Sequence, residues 1–430
     1  MSEGYDEHYV ASITAMGDTH AVSTSQAIFT RNGIKLIDAG TRISSAMREK
    51  LVKHKLIPDI DKCLVVENGV NNGSLRDAAR GMLREEPCFE YIRKALPGLD
   101  RLLNAFYAIP LNAPLSFKLT VAREQHPQIF RHSLFVALIG VFLGIRDRLN
   151  DHDLAAVAAA AMFHDLGELH TDPEILHAGG SLDAAGLRQI SVHPTTAYLI
   201  LQEYPEYHPE ISKAVLEHHE RMDGSGYPRG VKGDEISAMG QILMLAEVIA
   251  TLSDKTWATH GPQRLSMMLK MNRRRFSPVL IDHIAGLLAG ETRSGNDPGE
   301  AVSADAVVAQ LDQLAEVFRL WHAAYLSCSQ KTPQAGESPL IEFVGRRVTE
   351  IERTLLETGF QPDELSMLVE SMRDDAAALS EMLLILRESR WMVNNVIKEA
   401  RRRWNDLLPS GQSCAVVEGW LEQAGGLLAD

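Results

Sequence analysis

Apolar residues recur along most of this chain at three- and four-residue spacing, the period of an amphipathic helix. The exceptions lie at the N-terminal end. The first 20 residues show no such period and read as a loose tail. Two short apolar runs then meet at Asn32-Gly33, in Ala27-Ile-Phe-Thr-Arg-Asn-Gly-Ile-Lys-Leu-Ile37. That dipeptide suits a type I′ turn, so a β-hairpin is expected. A helix is expected over 44–55, with Met47, Leu51 and His54 on one face, and Pro58 ends that unit. From Ser74 to Phe106 the pattern is helical, broken at Pro87 and Pro97, and it stays helical almost to the end of the chain. Between Pro127 and Ala289 about six helices are expected, near 127–147, 151–165, 183–203, 209–219, 237–252 and 277–289. The alanine-rich stretch from Ala155 to Met162 allows close helix packing. Ser329-Gln-Lys-Thr-Pro-Gln-Ala-Gly-Glu-Ser338 has a linker's composition, and 339–428 reads as a further bundle of amphipathic helices.

The expected fold is therefore mainly all-α: a helical bundle with a small N-terminal β-hairpin/helix unit and a C-terminal helical region. Residues 1–73 form the tail and hairpin–helix unit, either a regulatory element or a packing addition. A helical connector covers 74–126, the central domain 127–290, a helix and linker 291–338, and the C-terminal bundle 339–430. In that bundle Ile341, Val344, Val348 and Ile351 fall on one seam. The seam suits either a homodimer or a core folded back on the same chain.

Composition narrows the class without naming it. At 430 residues, 45% hydrophobic and 23% charged, the chain resembles a soluble globular protein of two or three domains. A net charge of -14 argues against a generic partner in nucleic acid or an anionic membrane. A small anionic ligand stays open, because a metal cluster can reverse the local field. Cys63, Cys88, Cys328 and Cys414 are scattered with no CxxC spacing, as buried or free thiols of a reducing compartment would be. The N-terminus lacks a basic-then-apolar leader pattern, and the longest apolar run, Ser133 to Ile145, is too short to span a bilayer. A cytoplasmic location is expected.

Histidine changes the picture. Ten of the 16 histidines lie between His126 and His219, among them the pairs His164-Asp165 and His218-His219. A lone histidine on a helix is most often packed or solvated, but recurring pairs at helix ends point elsewhere. Adjacent helical residues point about 100° apart, so such pairs fit best where a helix ends or where other helices bring more ligands. The candidate metal ligands are His132, His164, Asp165, His193, His218, His219 and Glu247. If Asp165 bridges two ions, these residues supply about four bonds per ion and leave octahedral metals room for a hydroxide and a substrate oxygen. Imidazole mixed with carboxylate suits iron, manganese or another divalent first-row transition metal, and the lack of cysteine argues against structural zinc.

The run His218-His-Glu-Arg-Met-Asp-Gly-Ser-Gly-Tyr-Pro228 resembles the HHExxDGxGYP signature of HD-GYP phosphodiesterases. His164-Asp165-Leu-Gly resembles their HD signature, while His193-Pro and Ile242-Leu-Met-Leu-Ala-Glu-Val resemble their intervening metal motifs. The resemblance covers about 127–290 and implies an all-helical domain with a two-metal centre. It implies hydrolysis of cyclic di-GMP to pGpG or onward to GMP, by a hydroxide that two metals activate. Asp165 and Glu168 would then be catalytic. Asp223, Gly224, Gly226, Tyr227, Pro228 and Lys255 would border the substrate, a cyclic dinucleotide. In the family this loop also meets partners, such as a diguanylate cyclase or another signalling protein.

Several positions depart from the family pattern. Glu168 stands where a lysine is usual, and Glu247 replaces the aspartate of the ADxYDAL motif. Ala250 replaces that motif's second aspartate, and Lys255 is out of register with the usual phosphate-holding basic residues. Ala197 replaces a glycine, and Gln128 is not the glutamate that some members use for a third metal. An active phosphodiesterase, a non-catalytic cyclic-dinucleotide sensor or interaction protein, and a hydrolase of another phosphate ester all remain open.

Overall fold

The computed structural model describes residues 6–177, 184–291, 303–331, 338–357, 369, 373, 375–408 and 414–428, with side chains at 177, 184, 253–264, 285–291, 327–331, 357, 376–377 and 405–406 left aside. The chain divides into two compact units. One comprises 1–181, 189–261 and 274–288; the other comprises 182–188, 262–273 and 289–430.

The first unit begins with a correction: the expected tail is a helix, α1 (Glu7–Thr19). Its cap is Asp6, whose side chain accepts the Tyr9 amide. Tyr9, Val10, Ile13 and Met16 are fully buried, so one face of α1 is core. The strands follow: β1 (Val22–Thr24), β2 (Ile28–Thr30), β3 (Lys35–Ile37), then α2 (Arg48–Val52), β4 (Leu56–Ile57) and β5 (Leu64–Val66). β2 and β3 pair antiparallel as the expected hairpin, and β4 adds to the far edge of β2. The turn is not type I′. Thr30 and Ile34 close a loop in which only Gly33 is left-handed (φ 77°) and Asn32 is not, the pattern of a three-residue turn ending in a bulge.

Helices then take over: α3 (Asn72–Glu85), α4 (Glu90–Ala95), α5 (Asp100–Tyr107), α6 (Ala113–Gln125), α7 (Pro127–Arg146) and α8 (Asp151–Phe163). α7 is long and apolar enough to cross a membrane by length and composition, yet 67% of its apolar window is buried inside the protein. Leu154 to Phe163 of α8 are all buried, and the small alanines bring its neighbours close, as at Gly140 of α7, which faces Val157. After a short 3-10 turn, Leu166–His170, come α9 (Pro173–His177), α10 (Ala184–Ile190), α11 (His193–Gln202), α12 (Pro209–Glu217), α13 (Ala238–Met271) and α14 (Pro278–Glu291). The single helix expected at 183–203 is two, because Pro194 opens a new one at its first turn.

In the second unit, α15 (Ala304–Lys331), α16 (Pro339–Glu357), α17 (Ala376–Arg402), the short α18 (Trp404–Leu407) and α19 (Ala415–Leu428) share one apolar core. Ile341, Val344, Val348 and Ile351 are buried in it beside Val317, Trp321, Val393 and Trp420. The Trp420 indole donates to the Val317 carbonyl at 3.1 Å. The seam is thus filled within the chain.

Candidate metal centre

All seven predicted ligands meet, and helix ends deliver most of them. His164 directly follows α8, His218 directly follows α12, and His193 opens α11. Each of the three uses a carbonyl three residues back. Nδ1 of His164 is 2.7 Å from the Ala161 oxygen, that of His193 is 2.7 Å from Ile190, and that of His218 is 2.6 Å from Val215. A carbonyl only accepts, so each Nδ1 carries the hydrogen and each Nε2 keeps a free lone pair. At the ends of α8 and α12 these carbonyls have no helical amide left to bond, which is why a histidine fits there.

The lone pairs converge on Asp165. Its Oδ2 lies 3.0 Å from His164 Nε2 and 3.9 Å from His132 Nε2; its Oδ1 lies 3.3 Å from His193 Nε2 and 3.8 Å from His218 Nε2. Glu247, from α13, reaches His132 at 2.8 Å and His164 at 3.4 Å. The donors fall into two groups, His132 with His164 and Glu247, and His193 with His218 and His219. Within each, the ligand atoms lie within 4.8 Å of one another, and Asp165 stands between. Glu168 joins Asp165 and His193 in a further such group.

Two details show that cations suit this cluster. His164 Nε2 is buried, and its nearest polar neighbours are the carboxylate oxygens of Asp165 at 3.0 Å and Glu247 at 3.4 Å, acceptors that can share a cation with it. His193 Nε2 and His218 Nε2 face each other at 3.1 Å, although the hydrogen of each ring is already on Nδ1. Two lone pairs at that distance repel unless a positive charge lies between them. The residues present therefore fit two divalent ions.

Electrostatics divide the cluster the same way. Burial pushes His193 down and His218 and His219 well down, so these rings are neutral and ready to ligate. Burial opposes charge on His132 and His164 too, but Glu247 and Asp165 outweigh it and raise both. Burial likewise opposes charge on Asp165 and Glu247; the imidazoles of His164 and His132 prevail and hold both carboxyls below the usual range. Glu168 differs. Burial, reinforced by the negative charge of Asp165, pushes it up to about 8.

The loop after His219 is built rather than open. Tyr227 stacks on the His219 ring with centroids 4.7 Å apart, and its amide donates to the His219 carbonyl at 3.1 Å. Asp223 accepts the Ser225 amide at 2.8 Å across Gly224, whose φ is 78°, and Pro228 follows Tyr227 beyond that turn. A Cβ on Gly226 would sit 2.3 Å from Glu220 Cα, so only glycine lets the loop fold back this closely. Sequence reasoning missed what anchors it. Fully buried Glu220 accepts the amides of Arg229 (2.8 Å) and Gly230 (3.2 Å). Buried Glu217 takes the Arg229 guanidinium at 2.6 Å and the Ser237 amide at 2.9 Å. Arg275 donates to the Ser225 hydroxyl at 3.1 Å. Glu220 was visible as a fixed position of the motif; Glu217, Arg229 and Arg275 carried no signal.

Of the remaining positions, Ala197 and Ala250 are buried in the core and Gln128 is exposed outside the cluster. The Lys255 side chain lies outside the described residues.

Residues 121–280 match the HD domain family. Over 133 residues, 31% of this chain and 29% of the relative, the sequence is 35% identical to 3′3′-cGAMP-specific phosphodiesterase 3 of Vibrio cholerae. Phosphodiesterase 1 of the same specificity and organism is 35% identical over 36% of this chain and 35% of its own. A cyclic di-GMP phosphodiesterase response regulator of Xanthomonas campestris is 28% identical over 37% of this chain and 42% of its own. The chain thus spans between 29% and 42% of the length of these relatives. The match falls on the helices that carry the donor cluster, and the chain contains an HD domain related to those of cyclic-dinucleotide phosphodiesterases.

Proposed function

We propose that this protein is a metal-dependent phosphodiesterase of the HD-GYP kind whose substrate is a 3′,3′-cyclic dinucleotide, cyclic di-GMP first and 3′3′-cGAMP next. The observation that carries the reading is Asp165, which turns one carboxylate oxygen to each of two histidine groups. HD phosphohydrolases depend on metals, and two divalent first-row ions would here lower the pKa of a water and withdraw charge from a phosphodiester oxygen. His132, His164 and Glu247 would hold one ion, His193, His218 and His219 the other, and Asp165 both.

The other residues act on the substrate and on protons. Glu168, close to Asp165 and His193, is pushed by burial toward its protonated form, and in that form it would give the proton to the departing sugar oxygen. In that form it does not repel the phosphate that a lysine would otherwise attract. Tyr227, through its stack on His219, keeps that ring in place at the mouth of the loop. Asp223, Gly224, Gly226 and Pro228 shape the loop that borders the ligand.

The carboxyl of Glu168 also favours a second reading, a sensor that binds the dinucleotide and does not cleave it. Incubation of the metal-loaded protein with cyclic di-GMP and with 3′3′-cGAMP, followed by chromatography of the products, separates the two. Linear pGpG, GMP or the corresponding products of cGAMP support the enzyme. Tight binding of either nucleotide with no product overturns it in favour of the sensor.

A further inference from the structure

Helix α1 lies outside the matched HD domain, yet it touches that domain at two points, just before His132 and just after Asp165 and Glu168. Asp6 caps α1 with one carboxylate oxygen, 3.0 Å from the Tyr9 amide, and turns the other to His170 Nδ1 at 2.7 Å. The Tyr9 ring packs on the His170 ring with centroids 4.8 Å apart. One turn further along α1, the Ser12 hydroxyl lies 2.8 Å from His126 Nε2, at the residue that precedes α7 and hence His132.

α1 is itself held firmly. The Tyr9 hydroxyl donates to Asp61, whose other oxygen pairs with Lys118 of α6 at 2.7 Å, and the Lys118 ammonium sits 4.0 Å from the Tyr9 ring centroid. Tyr9, Asp61 and Lys118 are all buried, and a buried charge pair of this kind tolerates little movement.

His170 is the last residue of the 3-10 turn that contains Glu168. That turn is tied back to the centre by the Glu168 amide, which donates to the Asp165 carbonyl at 2.9 Å, and onward by the Thr171 amide, which donates to the Glu168 carbonyl at 2.9 Å. A five-residue turn has little regular structure of its own to fix it. We infer that His170, gripped by Asp6 and Tyr9 of α1, is a positioning residue: it fixes the turn that places Glu168 beside the metal centre. α1 is on this account part of the machinery of the site and not a packing addition. The inference rests on the proposed place of Glu168 in the reaction.

The test uses the full chain loaded with manganese, as parent, Asp6→Ala and Asp6→Asn. The asparagine keeps one oxygen for the Tyr9 amide and can turn its amide nitrogen, a donor, to His170 Nδ1, which accepts when the ring hydrogen is on Nε2. In Asp6→Ala, hydrogen exchange of the amides at 166–171 should rise about tenfold, while the amides of α7 between 134 and 143 keep parental protection. With cyclic di-GMP, kcat should fall about tenfold at unchanged KM, since misplacing a group by an ångström is enough for such a loss. Asp6→Asn should recover kcat to within about twofold of the parent, which a general loss of stability would not predict. Parental exchange at 166–171 in Asp6→Ala overturns the inference, as does a rise spread equally over α7. A parent that hydrolyses no cyclic dinucleotide defeats the functional reading instead, and the exchange data then decide the positioning role alone.

Discussion

Asp165 shows how much one side chain can carry. Its carboxylate is the shared member of both donor groups, with His164 at 3.0 Å on one oxygen and His193 at 3.3 Å on the other. Asp165→Ala should therefore lose most of the bound metal from both halves, together with any activity. Metal analysis of the purified variant checks this, and a full complement would remove Asp165 from the shared position. Glu168 is a different kind of test. Burial and the negative charge of Asp165 push it up to about 8, and the acid role requires that it keep its proton beside bound cations. Glu168→Gln keeps the shape and loses the proton; turnover should drop by about 10²-fold or more while metal content stays at the parent's. Glu168→Lys should not simply raise turnover. Steady-state rates of the three proteins, with metal content measured alongside, decide it, and a Gln variant as fast as its parent sinks the acid role.

At the level of elements, the loop from His219 to Gly230 depends on close backbone approach. A Cβ at Gly226 would lie 2.3 Å from Glu220 Cα, and Glu220 is the buried anchor of the loop's far end. Gly226→Ala should cost about 1–3 kcal/mol, as overpacking generally does. It should also shift Tyr227 from His219 and weaken metal binding in the His193, His218 and His219 half alone. A thermal melt and a metal titration check both parts; equal loss from the two halves would speak against the coupling. Legibility also varied by element. The helices that carry the donor cluster were readable because their ends coincide with His-Asp and His-His pairs, whose residues need the free carbonyls found there. α1 was not. Tyr9, Val10, Ile13 and Met16 do follow a helical period, but the run is short and its stability comes from burial against distant residues such as Asp61 and Lys118. The break before His193 was written in Pro194, and the hairpin was legible although its turn type was not, since Asn32-Gly33 is compatible with more than one turn.

The chain carries an HD domain, with its cluster of candidate metal ligands, and a separate helical unit. That unit's seam was visible as a 3–4-residue spacing, but spacing alone does not say which copy of the chain fills it. Here Val344 and Val348 of α16 are buried with Val317 and Trp321 of α15 in one core. A chain that ends near Ser329 would keep α15 and strip away what covers Val307, Leu314, Val317 and Trp321. We expect such a chain to self-associate or aggregate, a response to a large exposed apolar face. Light scattering of the truncated and full-length proteins tests this, and a well-behaved truncated monomer would contradict it. In the HD domain, the carbonyl-bound Nδ1 atoms of His164, His193 and His218 leave each Nε2 turned to the donor cluster. An imidazole-rich donor set does little to choose among first-row metals, and the order of intrinsic affinities favours zinc over iron and manganese. Which metal the protein carries is thus decided by what its surroundings supply. Zinc added in slight excess should displace bound manganese or iron, and the reverse exchange should fail, so that a preparation exposed to stray zinc is correctly folded, fully loaded and still the wrong protein to assay.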